Sequence, residues 1–131
     1  MHFDLISPAG LRTVWDDVRA GLDKMPPEDW IAEDVYHAIM SGQAALYVGR
    51  ADRKFAGFVV LQRHVADYSG VVSCHIWLAY NDGGQEAYDA ALGLYRQAAK
   101  QMGASRITFC SPRLGWAKRY RPVSTTYEIP L

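Results

Sequence analysis

Between Tyr88 and Met102 the residues Tyr88, Ala91, Leu92, Tyr95, Ala98, Ala99 and Met102 recur at three- and four-residue steps. That spacing puts them on one face of a helix, which Gly103 ends. Just before it lie two long β-rich runs, Phe55 to Val65 and Val71 to Tyr80, joined by the turn Asp67-Tyr68-Ser69-Gly70. A helix with a single apolar face, placed directly after a strand pair, has to bury that face on the pair. The chain is thus constrained to a layered domain of mixed α and β structure.

The remaining segments extend this plan. Phe3 to Ile6 reads as a short strand, and Ser7-Pro8 as an N-cap with proline at the first helical position. Leu11, Val14, Trp15, Val18 and Leu22 carry a first helix to about Lys24, ended by Pro26-Pro27. Glu28-Asp29 open a second helix, with Trp30, Ile31, Val35, Ile39 and Met40 on its apolar face. Ala44 to Gly49 is β-like, followed by the polar turn Arg50 to Lys54. After Gly103 come a strand (Ser105 to Cys110), about two helical turns (Leu114 to Tyr120) and a final strand (Thr125 to Leu131). The order is β-α-α-β-β-β-α-β-α-β. A chain of 131 residues without repeat or linker makes this one α/β (α+β) domain, residues 1–131.

Charge and composition exclude several functions. Fourteen basic and fourteen acidic residues leave no net charge, which disfavours a nucleic-acid or membrane-surface binder. No apolar run has the roughly 20 residues that span a bilayer. The start, Met1 to Pro8, has no basic n-region and no long apolar h-region, so no signal peptide and a cytoplasmic protein are expected. Cys74 and Cys110 lie in apolar runs and form no Cys-x-x-Cys pair; both are expected as reduced core thiols, and no metal site is expected. Ala90 to Tyr127 holds no acidic residue but seven basic ones: Arg96, Lys100, Arg106, Arg113, Lys118, Arg119 and Arg121. Such a segment suits an anionic ligand, or it is a solvated face balanced by the acidic N-terminal half.

Leu46-Tyr47-Val48, Gly57-Phe58-Val59-Val60, the passage Ala98 to Ile107 and the phrase Gly115-Trp116-Ala117-Lys118-Arg119-Tyr120 stand in this element order. Together they resemble the GCN5-related N-acetyltransferase (GNAT) superfamily over nearly the whole chain. The compact form and its Gly-Trp phrase are also similar to small GNAT-like proteins of bacteriophages and prophages. The resemblance implies a mixed central sheet with helices on both faces and an acetyl-CoA co-substrate. It implies acyl transfer to a small-molecule or peptide amine, and it leaves a homodimer open. It also places coenzyme A pyrophosphate on a loop of the form Arg/Gln-x-x-Gly-x-Gly/Ala before the long helix. Here that place reads Ala79-Tyr80-Asn81-Asp82-Gly83-Gly84-Gln85. The Arg/Gln is missing, and Asp82 brings a carboxylate near the phosphates or caps the helix. By position Trp77, Ala79, Asn81, Gly83, Gly84 and Gln85 would hold the co-substrate. A binding or assembly protein that has lost catalysis is the alternative.

Pairing His64 with Ser73 across the Asp67–Gly70 turn also pairs Gln62 with His75 and Val60 with Trp77. One face would then carry Gln62, His64, Ser73, His75 and Trp77, and the other Val59, Leu61, Val65, Val72, Cys74, Ile76 and Leu78. The family resemblance makes His75 the base and Tyr120 the acid, facing a slot between the meander and the long helix. An imidazole suits proton removal near neutral pH. The competing readings are a hydrogen-bonded strand histidine and an amphipathic packing tyrosine. Trp15 and Trp30 are expected in the core, and Trp116 at an exposed or interfacial place.

Overall fold

Ser7 and Pro8 begin the first helical segment as their chemistry dictates: Ser7 Oγ accepts from the Gly10 N–H at 3.2 Å over a 3₁₀ turn, Pro8–Gly10. In the computed structural model, which describes residues 1–131, α1 (Leu11–Asp23) follows directly. The second helix, α2 (Ala32–Met40), starts later than the acidic pair Glu28-Asp29 suggests. Asp34 explains the delay, because its carboxylate accepts from the Ile31 N–H at 3.0 Å and sets the start there. Ile31, which precedes the helix, and Met40, its last residue, are exposed, whereas Val35 and Ile39 are buried.

Five strands form one sheet in chain order: β1 (His2–Ile6), β2 (Ala45–Ala51), β3 (Lys54–Val65), β4 (Val72–Asn81) and β5 (Arg106–Phe109). The first four are antiparallel and β5 runs parallel to β4. Asp52 and Arg53, both at positive φ (51° and 65°), make the two-residue turn between β2 and β3. The long helix α3 (Gly84–Met102) separates β4 from β5, as a parallel connection requires. Gly103 ends α3 in the left-handed conformation (φ 68°), and the Ala104 N–H reaches back to the Ala99 carbonyl at 2.8 Å.

Each face of the sheet holds its own core. Under α1 and α2 pack Leu11, Val14, Val18, Leu22, Val35 and Ile39 with Leu46, Val48, Phe58, Val60 and Leu78. Under α3 pack Ala91, Tyr95, Ala98 and Ala99 with Val59, Leu61 and Cys74. Each fully buried leucine or valine contributes about 1.5–3 kcal/mol relative to exposure. Trp15 and Trp30 lie half-buried against the first core. No helix is long and apolar enough to cross a membrane.

Four expectations are corrected. The final strand does not form: Thr125–Leu131 pairs with no strand, and the sheet ends at β5. Val60 pairs with Leu78, not Trp77, because an extra residue of β4 is accommodated between Leu61–Ile76 and Val60–Leu78. This β-bulge moves Leu78 out of the Cys74 face and into the α1–α2 core. Cys74 is a core thiol, raised in pKa by burial, but Cys110 lies beyond β5 and is exposed. Finally, the expected slot between meander and helix is closed by small residues: Ala91, Ala98 and Ala99 let α3 lie directly on the sheet.

At the upper end of the ladder a Cβ on Gly57 would lie 2.3 Å from the Tyr80 carbonyl oxygen. Gly57→Ala should lower stability by roughly 1–3 kcal/mol through enforced backbone displacement. Urea denaturation would read this as a lower midpoint at constant slope; an unchanged midpoint would refute so close an approach.

Candidate functional site

β4 and β5 share a ladder only from Ser73–Arg106 to Ile76–Phe109. Beyond it β4 continues through Trp77 to Asn81 while β5 stops, and the chain turns into a short 3₁₀ helix, Leu114–Lys118. The edge of β4 over Trp77–Asn81 is therefore open, and the two strands form a fork. The bulge beside Trp77 lies at its crotch.

His75 sits one residue before the fork. Its Nδ1 is 2.9 Å from Thr108 Oγ1, and its ring stacks on His64 with centroids 4.5 Å apart. His64 Nε2 is 3.1 Å from Gln62 Oε1, an acceptor, so the proton of that bond belongs to His64. Arg106 Nε donates to Ser73 Oγ at 2.8 Å on the same face. Burial lowers the pKa of His75, and the adjacent His64 lowers it further. The imidazole is thus held neutral near pH 7. In the tautomer that donates Nδ1–H to Thr108 Oγ1, Nε2 presents a lone pair.

Tyr120 follows the 3₁₀ helix, its N–H bonded to the Trp116 carbonyl at 2.8 Å. Its hydroxyl makes a short hydrogen bond with that of Tyr88 on α3, and this bond raises the Tyr88 pKa. Phe109, Trp116 and Tyr120 pack ring on ring at 5.1–6.0 Å. Arg119 lies 5.1 Å from the centre of the Tyr88 ring. Phe109 pairs with Ile76, which packs under α3, whereas Thr108 pairs with His75 on the opposite face. His75 and Tyr120 are therefore not brought into direct contact; they flank the fork from its two faces. Thr108 and Tyr88 were the partners that one-dimensional spacing did not disclose. His64 alone had a visible signal, through its cross-strand pairing with Ser73.

The loop into α3 is built differently from a helix-capping turn. Asp82 accepts from the Tyr80 hydroxyl at 2.8 Å, and Asn81 Oδ1 accepts from the Gly83 N–H at 3.1 Å. Asp82 thus does not cap α3, which begins at Gly84 (φ 61°) with no side-chain cap. Gln85 turns to Asp89 at 3.0 Å. Ala79 is exposed opposite Val59, and Trp77 is half-buried at the bulge. The uncapped amides fit a pyrophosphate. Asp82, Glu86 and Asp89 do not favour one, and Ala79 to Tyr95 contains no Lys or Arg. Cations come from other elements: the Met1 ammonium 3.4 Å from Glu86, Lys24 Nζ 5.9 Å from the Tyr80 ring centre, and Arg119 on Tyr88. The loop fits the group in its backbone, and in charge only through these neighbours. A separate cleft of about 320 Å³ beside Leu22, Met25, Pro27 and Trp30 contains none of these residues.

By sequence the chain matches no protein-family model and no curated protein. Solved structures match it over the full chain. A ribosomal-protein-alanine N-acetyltransferase from Brucella melitensis biovar Abortus 2308 superposes with a TM-score of 0.72 at 14% identity, covering 100% of both chains. A probable acetyltransferase gives 0.73 at 14% identity, covering 100% of this chain and 98% of that one. An aminoglycoside acetyltransferase from an uncultured soil metagenomic sample, in complex with sisomicin, gives 0.67 at 11% identity, with 99% and 93% covered. The fold is that of the GNAT acetyltransferases. The resemblance carried by Leu46–Val48, Gly57–Val60 and Ala98–Ile107 therefore holds at the level of fold.

The lowered His75 pKa has a definite sign in stability. An unfolded imidazole titrates near its ordinary value of about 6.5, and the folded one titrates below it. Between those values the unfolded chain binds more protons. Stability should be fullest above about pH 6.5 and decline as pH falls through the lowered folded value. Thermal unfolding of wild type and His75→Gln between pH 7.5 and 5 measures this: the variant should lose part of the acid-side slope, and parallel curves would disprove the assignment.

Proposed function

We propose that this chain is an N-acyltransferase that moves an acetyl group from acetyl-CoA to an amine at the β4–β5 fork. The carrying observation is the fork itself, with a neutral, Thr108-anchored imidazole on one face and a hydrogen-bonded tyrosine pair on the other. An acyl group lying between the strands would meet the free edge of β4. Trp77 and Ala79 would line that channel. The α3 amides would hold the pyrophosphate beside Asn81, Gly83, Gly84 and Gln85, with Lys24 and Arg119 supplying positive charge.

In the chemistry, His75 Nε2 takes the proton that the amine gives up as its nitrogen bonds to the acyl carbon. The carbon–sulfur bond breaks, and Tyr120 gives a proton to the departing sulfur. Tyr88, its pKa raised by the bond to Tyr120, stays protonated and re-supplies that hydrogen bond. General base catalysis of this kind contributes typically 10²–10⁴-fold. The acceptor class is a small-molecule or peptide amine, since the His64–His75 face is open to solvent at His64. An aminoglycoside acetyltransferase among the structural neighbours supports an amine acceptor.

A second reading has one specific observation in its favour. Three carboxylates, Asp82, Glu86 and Asp89, surround the start of α3, and like charge opposes a pyrophosphate. On that reading the fold serves binding or assembly without catalysis.

Thermal unfolding with acetyl-CoA separates the two. At 100 times its Kd the ligand should stabilise the protein by about 2.7 kcal/mol. Absence of any shift at millimolar acetyl-CoA would defeat the acyltransferase reading and support the other. His75→Gln should reduce turnover by roughly 10²-fold or more with folding retained. Equal losses of folding and turnover would make His75 structural.

A further inference from the structure

Six polar side chains lie in two rows across β3, β4 and β5. The register sets His64, Ser73 and Arg106 side by side in one row, and Gln62, His75 and Thr108 in the next. The rows are two residues apart along each strand, a distance of about 7 Å. Both face away from α3, because Cys74, between Ser73 and His75, packs beneath that helix. The cover from α1 and α2 thins along the same face: Phe58 and Val60 are buried, Gln62 is half-buried and His64 is exposed.

Arg106 is the one permanent charge in these rows. Its Nε donates to the buried Ser73 hydroxyl at 2.8 Å, which fixes the plane of the guanidinium, and its two terminal nitrogens have no partner in the protein. None of the chain's ion pairs involves it. β3, β4 and β5 contain no Asp or Glu. A guanidinium held at Nε and free at both terminal nitrogens offers two parallel N–H donors, the geometry that a carboxylate or phosphate fills. A solvated surface arginine has neither a buried hydroxyl to hold it nor an imidazole such as His75 one row away.

Resting on the acyl-transfer reading, we propose that Arg106 selects the acceptor, an amine that carries an oxyanion (carboxylate or phosphate) a few bonds from its nitrogen. The oxyanion bridges the terminal nitrogens of Arg106 while the amine stands at His75 Nε2, one row nearer the fork. The donor is held at the start of α3, so the opposite face of the sheet is left to the acceptor. A neutral chain of the same length gains nothing at Arg106, and a diamine meets it with like charge. The row thus favours one class of amine and rejects another.

Histidine ring resonances, followed by NMR without acetyl-CoA, read binding apart from turnover. β-Alanine and phosphoethanolamine should move the His64 and His75 signals. Both should bind about tenfold or more tightly than propylamine and ethylamine, which lack the oxyanion. Arg106→Gln, at an exposed position, should keep the circular dichroism spectrum and erase the difference. Arg106→Lys should restore part of it, since charge returns without the fork. Where thiol release from acetyl-CoA is seen, kcat/KM for β-alanine should fall about tenfold to hundredfold in Arg106→Gln and stay unchanged for propylamine. Histidine signals unmoved by either anionic amine, equal affinity for charged and uncharged amines, or an anion preference that survives Arg106→Gln would each overturn the proposal. Selective binding without thiol release would instead remove the acyl-transfer reading and leave Arg106 as the oxyanion's binder.

Discussion

The ladder between β3 and β4 is the constraint on which the molecule depends. Both cores use it from opposite sides: Phe58, Val60 and Leu78 face α1 and α2, and Val59, Leu61 and Cys74 face α3. Strict alternation along both strands would have sent Leu78 to the α3 side, leaving the larger core short of a fully buried side chain. One additional residue beside Trp77 resolves this conflict. Gly57 lets the two backbones remain paired at the far end, where Asn81 leads into α3.

The same irregularity organises the candidate site. It lies where β5 parts from β4, so the open edge, the imidazole and the aromatic group at Phe109 all meet near one place. Below the fork, the side chains divide by chemistry. Gln62, His64, His75 and Thr108 form a polar face, while Tyr95 packs against Cys74 beneath α3, its pKa pushed by burial to about 12. Above it, the start of α3 combines free backbone donors with acidic side chains. The balancing cations sit on α1, at the N-terminus and after β5, remote in sequence from the loop.

How much of this was legible depends on how local each signal is. The face of α3 could be read because Ala91, Tyr95, Ala98 and Ala99 repeat at helical spacing. The pairs His64–Ser73 and Gln62–His75 could be read because a short turn counts them off. Val60 and Trp77 could not, since the count fails across a bulge. Cys110 looked like core because Ile107 and Phe109 precede it; it lies beyond the end of β5 and is exposed. Thr125 to Leu131 has a strand's pattern without a strand's partner in this chain.

Composition, periodicity and turn residues by themselves determined the class of fold and the order of its elements up to β5, and the family resemblance singled out His75 on that frame. Each of those signals acts over a few residues, so the chain displays it directly. Tertiary structure alone decided which face received Leu78, that His75 and Tyr120 stand on opposite sides of a fork, that Thr108 and Tyr88 are their partners, and that the last strand is unpaired. These outcomes depend on contacts between residues tens of positions apart, where a displacement of one residue along a strand exchanges the buried and the exposed face.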